Sequence, residues 1–305
     1  MPSNQEIIDY YIDSKMDYRI YNLRTDDLAM HYGLWDATTR SHREALLNEN
    51  RVLARRACIS AADEVLDLGC GYGSTAVCLA ERIGCRVTGI TLNADQVESA
   101  RLLARKHNVH HLVKFHCMDF HQTSFPDAHF DVVLAIESIA HSSDKPRVLR
   151  EAFRLLKSSG RLVIADGYFR KSKTELTDRE RKIAKSCCEG VHVPMLPDRD
   201  EFERWLKEAG FQYVKWSDKT SGILPTARRV HWLVRLFLPM SHLLRAVGLS
   251  ALRPSHMRAF IDQYYAFRDG LGTYGIFLAT KPDRQRDLRE SLPSAVTKNR
   301  PLMVT

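Results

Sequence analysis

Hydrophobic and polar positions along residues 64–165 alternate between two periods. Short apolar runs of the kind found in buried strands are each followed by a longer stretch in which apolar side chains recur with helical spacing. The predicted strands are 64–68, 86–90, 113–118, 130–136 and 160–165, and the predicted helices are 75–83, 94–107 and 145–157. This order predicts a doubly wound α/β sheet with parallel strands, which binds ligands beyond the carboxyl ends of its strands.

The pattern continues beyond this core and is then interrupted. Residues 199–209 are predicted as a helix, 211–216 as a strand and 273–279 as the last strand. The roughly fifty residues between the last two strands exceed an ordinary connection, which indicates a functional insertion. Two segments of this insertion, 230–238 and 241–249, have broad apolar faces, and Pro239 is predicted to end the first of them.

Two interpretations of the insertion stay open. In the first, its helices pack on the core or on a second subunit of a homo-oligomer. In the second, they form a roof over an apolar substrate, with Trp232 among the covering residues. Arginines such as Arg228 would then meet an anionic head group or a lipid surface, which makes peripheral membrane contact part of this interpretation.

The two ends of the chain differ from the core. Residues 5–60 have a mostly helical pattern, interrupted by the sequence Met-His-Tyr-Gly-Leu-Trp-Asp at 30–36. Large rings so close together are unusual in a surface loop, so this stretch is either a buried plug or a lid over a ligand. After Pro282 the chain is polar and has no period, which predicts a loose tail over 283–305.

The composition limits the classes of function. With 305 residues, 44% of them hydrophobic and 27% charged, the chain is long enough for one large α/β domain with additions. The formal net charge of +8 comes without a long basic run or a nucleic-acid-binding motif, so we expect no nucleic acid partner. Seven cysteines without C-x-x-C pairs or neighbouring histidine ligands predict reduced thiols and no metal site. The first residues lack the features of a signal peptide, so the expected location is cytoplasmic.

The most specific signal is the turn that follows the first predicted strand. Residues 64–74 read Glu-Val-Leu-Asp-Leu-Gly-Cys-Gly-Tyr-Gly-Ser, so that Asp67 precedes three glycines at alternate positions, Gly69, Gly71 and Gly73. A dinucleotide site would show G-x-G-x-x-G with an acid about 20 residues later, and a carboxylate inside the turn would repel a pyrophosphate. An acid with glycines suits instead a ligand that carries an ammonium group and an uncharged, thioether-like chain.

With these residues the segment resembles the first motif of class I S-adenosylmethionine-dependent methyltransferases. The phrase Gly-Ile-Thr-Leu-x-x-x-Gln at 89–96 is similar to the branch that includes tocopherol and sterol methyltransferases and cyclopropane fatty acid synthases. The resemblance implies a Rossmann-like, seven-stranded sheet whose last strand is antiparallel and lies between the fifth and the sixth. It also implies that S-adenosyl-L-methionine binds along the carboxyl edge of this sheet.

The cofactor contacts of the family can be transferred to the matching positions of this chain. The acid of the first motif corresponds to Asp67 at the methionine end, while Asp119 and Phe120 after the third strand correspond to the adenine site. Many members have an acid after the second strand, where this chain has the hydroxyl of Thr91. The local alternatives are helix capping after the second strand and a solvated loop acid at Asp119. The complete predicted cofactor-binding set is Asp67, Gly69, Gly71, Gly73, Thr91, Leu92, Gln96, Asp119, Phe120 and Glu137.

The residues after the fourth and fifth strands are the catalytic candidates. The segment Glu137-Ser-Ile-Ala-His141 would lie next to the methyl group, and similar E-S-x-x-H segments occur in natural-product methyltransferases, where the histidine faces the acceptor. Because histidine titrates near neutral pH, His141 is the candidate base, with a merely packed or solvated side chain as the alternative. Glu137 is a candidate to orient a ligand or to stabilise developing positive charge. Asp166 is a candidate to hold an acceptor hydroxyl or amine.

The acceptor follows less directly from the residues. The resemblance favours the lid interpretation of residues 30–36, which makes Tyr32 and Trp35 acceptor contacts, and Tyr168 is a further candidate for the same pocket. The predicted function is methylation of a lipophilic small molecule, such as an isoprenoid, sterol-like or aromatic natural product, including C-methylation of a prenyl diphosphate. The alternatives are N- or O-methylation of a phenol or amine with His141 as base, and a non-catalytic protein that binds S-adenosylmethionine.

The predicted chain organisation follows from these assignments. An N-terminal helical cap (1–60) precedes a cofactor-binding core (61–218), a helical substrate-lid insertion (219–272), the last core strand (273–282) and the tail (283–305).

Overall fold

The computed structural model describes residues 4–13, 29–246 and 254–283, in which helices cover both faces of one sheet. The strands are β1 (Glu64–Leu68), β2 (Arg86–Thr91), β3 (Val113–Cys117), β4 (Phe130–Ile136), β5 (Leu156–Phe169), β6 (Gln212–Asp218) and β7 (Gly272–Thr280). The helices are α1 (Asn4–Asp13), α2 (His42–Arg56), α3 (Ser74–Ile83), α4 (Ala94–Lys106), α5 (Lys145–Leu155), α6 (Asp178–Glu189), α7 (Arg199–Glu208), α8 (Thr220–Ala246) and α9 (Pro254–Arg268). A short 3₁₀ helix, Ile139–His141, follows β4.

The sheet has the strand order β3-β2-β1-β4-β5-β7-β6. Strands β1 to β5 pair in parallel, whereas β7 pairs antiparallel with both β5 and β6. The carboxyl ends of β1, β2, β3, β4 and β5 therefore meet at one edge of the sheet. This topology confirms the predicted fold, including the insertion of the last strand between the fifth and the sixth.

Two apolar layers hold the sheet between its helices. Alternate residues of β1 point to opposite faces, so that Val65 belongs to one layer and Leu66 to the other. The parallel strands are buried on both faces and consequently consist of nearly continuous apolar runs. These runs are the pattern from which the sequence predicted the core strands.

Three features differ from the prediction. Strand β5 continues to Phe169 rather than ending at residue 165, because β7 pairs along it as far as Gly272. Helix α6 was not predicted; it begins with a capping box in which Thr177 and Glu180 bond each other's backbone N–H groups. Pro239 does not end its helix, since α8 continues to Ala246. A proline removes one backbone hydrogen bond, a loss that packing of α8 on α9 can offset.

Helices α8 and α9 occupy the predicted insertion and form a roof at the carboxyl edge. Helix α9 packs against both α8 and α6, and Val230 and Val234 of α8 contact Met257 of α9. No helix in the described ranges is both long enough and apolar enough to span a membrane. The end of the segment predicted as a helix over 241–249, and the predicted tail from residue 284 onward, lie outside the described residues.

We expect Gly73→Ala to lower the free energy of unfolding by about 2–5 kcal/mol. Gly73 has a φ of +80°, and a Cβ there would lie 2.7 Å from the Cβ of Ala100 and 2.8 Å from Cζ of Phe115. The change therefore adds a steric collision of about 1–3 kcal/mol to backbone strain of about 1–2 kcal/mol. Urea denaturation of both proteins measures the difference.

Gly270→Ala is the matched control for this change. Gly270 has the same φ of +80°, but a Cβ there would have no atom within 4 Å. It should cost only the backbone strain, about 1–2 kcal/mol. Equal losses at the two positions would show that the collision at Gly73 has no energetic weight.

Candidate active site

Two adjoining cavities lie at the carboxyl edge of the sheet. The first, the turn cavity, is bounded by the segments that follow β1, β2, β3 and β4. The second, the roof cavity, lies under α8 and α9 beside the ends of β5 and β7. Five residues line both cavities: Tyr11, Met30, His31, Glu137 and His141. A ligand in one cavity therefore meets a ligand in the other at these side chains.

The glycine turn shapes the floor of the turn cavity. The backbone N–H groups of Gly69 and Cys70 both donate to the carbonyl of Ile90, at 2.9 Å each, which fastens the turn to the end of β2. A Cβ on Gly71 would have only the sulfur of Met30 near it, at 3.7 Å, so this position opens into the cavity. Gly69 also lines the cavity, whereas Gly73 does not, because its free side packs on the core.

Asp67 is the buried acid of the turn cavity. Its side chain is 2% exposed, and Oδ2 has no hydrogen-bond partner among the described residues. Burial raises the pKa of this carboxyl to about 7, and the charge of His31 opposes the rise. A buried carboxylate oxygen without a partner fits a ligand that brings an ammonium group. The space left by Gly71 and the free oxygen of Asp67 thus agree with the methionine end of S-adenosylmethionine.

The segment after β2 lines the next part of the turn cavity with Thr91, Leu92 and Gln96. The Thr91 hydroxyl donates to Oε1 of Gln96 at 2.6 Å. Asn93 also lines the cavity, and its Oδ1 accepts the N–H of Asp95 at 2.9 Å, so it caps α4. Capping and cavity lining, which the sequence presented as alternatives, occur together here.

The segment after β3 only partly follows the prediction. Phe120 lines the turn cavity, but Asp119 does not. Oδ1 of Asp119 accepts the backbone N–H of His121 at 2.8 Å and lies 2.6 Å from Nδ1 of the same residue, so this carboxylate bends back on its own loop. His121, which the sequence did not single out, lines the cavity instead.

Glu137 stands where the two cavities meet. Its backbone has a φ of +49°, and its Oε1 accepts the N–H of Tyr32 at 2.9 Å and contacts the hydroxyl of Tyr274 at 3.0 Å. Burial, and then the charge of Glu49, raise the pKa of Glu137 well above its ordinary value. The carboxyl group is consequently held by Tyr32 and Tyr274 at the junction of the two cavities.

His141 and Asp166 border the roof cavity. Nε2 of His141 lies 2.8 Å from the hydroxyl of Tyr11, and burial lowers the pKa of this histidine to about 4, so the ring is neutral at pH 7. The two oxygens of Asp166 accept the backbone N–H groups of Gly167 and Ala140, at 2.8 and 2.9 Å. Burial raises the pKa of Asp166 to about 6, although Lys145 opposes the rise.

The predicted acceptor contacts divide into two groups. Tyr32 and Tyr168 line the roof cavity. Trp35, Arg228 and Trp232 do not, which corrects the prediction for these three residues. Nε1 of Trp35 donates to Thr226 at 2.8 Å, so this ring is fastened to α8 instead of covering a ligand.

The correction for α8 has a geometric reason. Thr226 and Val230 lie on the inner face of the helix and line the roof cavity, and this face excludes positions 228 and 232. Arg228 is exposed, and Trp232 is 62% exposed. The apolar pattern of this helix was too broad to reveal which face turns inward.

Sequence reasoning missed a buried cluster around Glu49. Its Oε2 accepts the N–H of Gly33 at 3.0 Å and lies 2.8 Å from Nδ1 of His31, while the hydroxyl of Tyr274 donates to Oε1 at 2.8 Å. The only available signal was the histidine two positions before Gly33, because Glu49 lies on a helix with a mixed pattern and Tyr274 lies far along the chain. Among the described residues, no group of histidine, cysteine and acidic side chains could hold a metal ion.

We expect Asp67→Asn to weaken binding of S-adenosylhomocysteine, which keeps the ammonium group, by about 10- to 150-fold. This corresponds to losing a hydrogen bond to a charged group, about 1.5–3 kcal/mol.

The same change should stabilise the ligand-free protein at pH 8 by roughly 2–4 kcal/mol. The folded-state pKa of Asp67 is raised to about 7, so the native acid loses stability as the pH rises towards that value, and the amide avoids this loss. Calorimetric titration and thermal unfolding measure the two effects.

Asp63→Asn is the matched control for this prediction. Asp63 precedes β1 and is ion-paired with Arg161. Its replacement should lower stability and leave binding of S-adenosylhomocysteine unchanged. Equal binding by the Asp67→Asn variant and the parent protein would contradict the assignment of Asp67 to the ligand's ammonium group.

Comparison with known proteins identifies the family of this chain. A family model described as a methyltransferase domain matches residues 59–210. The 27-O-demethylrifamycin SV methyltransferase of Amycolatopsis mediterranei is 31% identical over 263 residues, which cover 83% of this chain and 90% of that protein. The chloroplastic tocopherol O-methyltransferase of Arabidopsis thaliana is 25% identical over 83% of this chain and 76% of its own length.

Solved structures share the fold. The cyclopropane synthase MmaA2 of Mycobacterium tuberculosis superposes with a TM-score of 0.78 at 15% identity, covering 92% of this chain and 99% of that one. The geranyl diphosphate C-methyltransferase of Streptomyces coelicolor A3(2) superposes with a TM-score of 0.67 at 21% identity, with coverage of 92% and 99%. From the motif, the topology and the rifamycin-type relative together, this chain belongs to the S-adenosylmethionine-dependent methyltransferases.

Proposed function

We propose that this enzyme methylates an oxygen or nitrogen atom of a lipophilic small molecule, of isoprenoid, sterol-like or aromatic type. The observation that carries the proposal is the junction of the two cavities at Glu137 and His141. The turn cavity suits the methyl donor. The roof cavity is then the acceptor site, and the transferred methyl group crosses between them.

The lining of the roof cavity supports an apolar acceptor. Most of its wall consists of aliphatic and aromatic side chains from α6, α8, α9 and the neighbouring loops. They include Val191, Val193, Leu196, Val230, Phe260 and Phe267. Burying a lipophilic ligand against such a wall contributes about 25 cal/mol for each Å² of apolar surface removed from water.

The charges of the roof cavity support a neutral or cationic acceptor. Glu137 and Asp166 line it, and no lysine or arginine does so among the described residues. A diphosphate would need such cations, because a phosphate group buried beside carboxylates is strongly disfavoured. Hydroxyl and amine groups, in contrast, can bond directly to these acids and to the histidines of the cavity.

Most of the catalytic effect in this proposal comes from positioning. S-adenosylmethionine supplies a methyl group on a positively charged sulfur. Asp67 binds its ammonium group, Phe120 covers its adenine, and His141 with Tyr11 holds the acceptor atom in line with the methyl group. A histidine whose pKa burial lowers to about 4 is a weak base, so we assign His141 to orientation of the acceptor.

C-methylation is the second candidate, and the rings around Glu137 favour it. The centroid of Tyr32 lies 5.8 Å from that of Phe267 and 6.1 Å from that of Tyr274, next to the Glu137 carboxyl. Ring faces and a carboxylate together stabilise a carbocation, as methylation of a prenyl alkene requires. The diphosphate of such a substrate would have to extend beyond the described lining.

A panel of acceptors distinguishes the two candidates. We expect hydroxylated aromatic compounds, sterols or apolar amines to gain a labelled methyl group from S-adenosylmethionine, measured by mass spectrometry, and prenyl diphosphates to gain none. Methylation confined to prenyl diphosphates would overturn heteroatom methylation. An acceptor methylated at oxygen or nitrogen would exclude the carbocation route for that product.

Two variants provide a second test with the best acceptor of the panel. We expect His141→Ala to lower kcat/KM for the acceptor about 10- to 100-fold, since positioning of the acceptor is lost. If the enzyme methylates carbon instead, Glu137→Gln should abolish turnover and His141→Ala should leave it unchanged. Trp232→Ala, on the outer face of α8, is the control and should retain the activity of the parent protein.

A further inference from the structure

His31 is a buried polar residue of the site with one ring nitrogen that lacks a hydrogen-bond partner among the described residues. It lines both cavities and is 9% exposed, and its Nε2 is buried without a hydrogen-bond partner among the described residues. A buried ring nitrogen without a partner is costly, and such atoms in a cleft are candidates for contact with a ligand. The other ring nitrogen, Nδ1, has a fixed partner in Glu49 at 2.8 Å.

The bond to Glu49 determines which nitrogen of His31 is basic. Glu49 is completely buried, and its Oε2 receives both Nδ1 of His31 and the N–H of Gly33. Because Oε2 accepts the Gly33 N–H, we take the same oxygen as the acceptor for His31, which places the hydrogen of the ring on Nδ1. In the neutral ring Nε2 then holds the lone pair, and it lies at the junction of the cavities.

Counting hydrogens around Tyr274 indicates that Glu49 and Glu137 hold a proton between them. The Tyr274 hydroxyl lies 2.8 Å from Oε1 of Glu49 and 3.0 Å from Oε1 of Glu137, but it has one hydrogen for the two contacts. If both acids were ionised, the Tyr274 hydroxyl could donate to one of them only, and its oxygen would face the other carboxylate oxygen with no hydrogen between them. A proton on Glu137 removes this repulsion, in agreement with the raised pKa of that residue. Glu49 has contacts at both oxygens, with the Tyr274 hydroxyl at Oε1 and with the Gly33 N–H and His31 Nδ1 at Oε2, so we take it as the acceptor opposite His31.

From this arrangement we infer that His31, oriented and charge-compensated by Glu49, is the base that takes the proton of the acceptor. The inference deepens the proposed function and rests on methylation at oxygen or nitrogen. The O–H or N–H bond breaks, its proton passes to Nε2, and the electron pair left on the heteroatom forms the bond to the methyl carbon. The pair of the carbon–sulfur bond leaves with sulfur. The imidazolium that forms is stabilised by the buried charge of Glu49.

The inference assigns to His31 the role of base for which the sequence had made His141 the candidate. That ring bonds Tyr11 and has no carboxylate partner in the described network, whereas His31 has one at 2.8 Å. A buried carboxylate beside a histidine can stabilise the imidazolium that forms when the ring takes a proton. Orientation of the acceptor thus falls to His141 and removal of its proton to His31.

The kinetic test uses His31→Gln with an acceptor that the panel identifies. We expect kcat to fall about 100-fold, the usual contribution of a general base, and the Kd for S-adenosylhomocysteine to stay within about twofold of the parent value. A large rise of this Kd with unchanged kcat would make His31 a cofactor ligand and overturn the inference. His107→Gln is the matched control, because His107 forms a comparable pair with Glu81, at 3.2 Å, outside both cavities.

A spectroscopic test needs no acceptor. In the full-length protein with ¹⁵N-labelled histidine, we expect His31 to show hydrogen on Nδ1, with its signal assigned through His31→Gln. Glu49→Gln should move hydrogen to Nε2, since its amide can donate to Nδ1. Hydrogen on Nε2 in the neutral ring of the parent protein would overturn the inference. If no panel compound is methylated at oxygen or nitrogen, the proposed function fails, and the tautomer still decides whether Nε2 carries the lone pair.

Discussion

The burial of Glu49 is the constraint on which the site depends. This one carboxylate bonds residues 31 and 33 of the N-terminal segment and Tyr274 of the last strand, and it belongs to a third element, α2. A completely buried acid is strongly destabilising without such partners, so the segments that supply them are held together. Through Tyr274 the same network reaches Glu137 at the end of β4. The network thereby joins the elements that carry the walls of both cavities.

The site also contains buried acids that the surrounding protein does not stabilise fully in their charged form. Asp67 has an oxygen without a partner, and burial raises the pKa of Asp67 and of Glu137 above their ordinary values. These groups lower the stability of the ligand-free chain, whereas a cation bound beside them restores favourable electrostatics. The positive sulfur and ammonium groups of the methyl donor are such cations. The turn cavity therefore presents acidic groups to a positively charged ligand.

Most of the fold was predictable because the core strands are buried on both faces and therefore carry continuous apolar runs. Asp67 and Gly71 were predictable for a local reason, since spacing alone brings an acid and a tight turn together. The orientation of side chains on α8 was not predictable, because its broad apolar pattern conceals which face packs inward. The sequence therefore predicted Trp232 as an acceptor contact, whereas its side chain lies on the exposed face. The pairing of His31 with Glu49 depends on contacts between separate elements, which no local pattern encodes.

The attachment of Trp35 to the roof has a consequence for the order of events during turnover. Its backbone N–H donates to Gly222 and its Nε1 to Thr226, so the segment that carries His31 and Tyr32 is fixed to α8. A compound that tightens the roof around itself therefore also tightens the wall beside the methyl donor. Linkage requires that the donor strengthen binding of that compound by the same factor. The two substrates would then bind cooperatively, and release of one product would loosen the hold on the other.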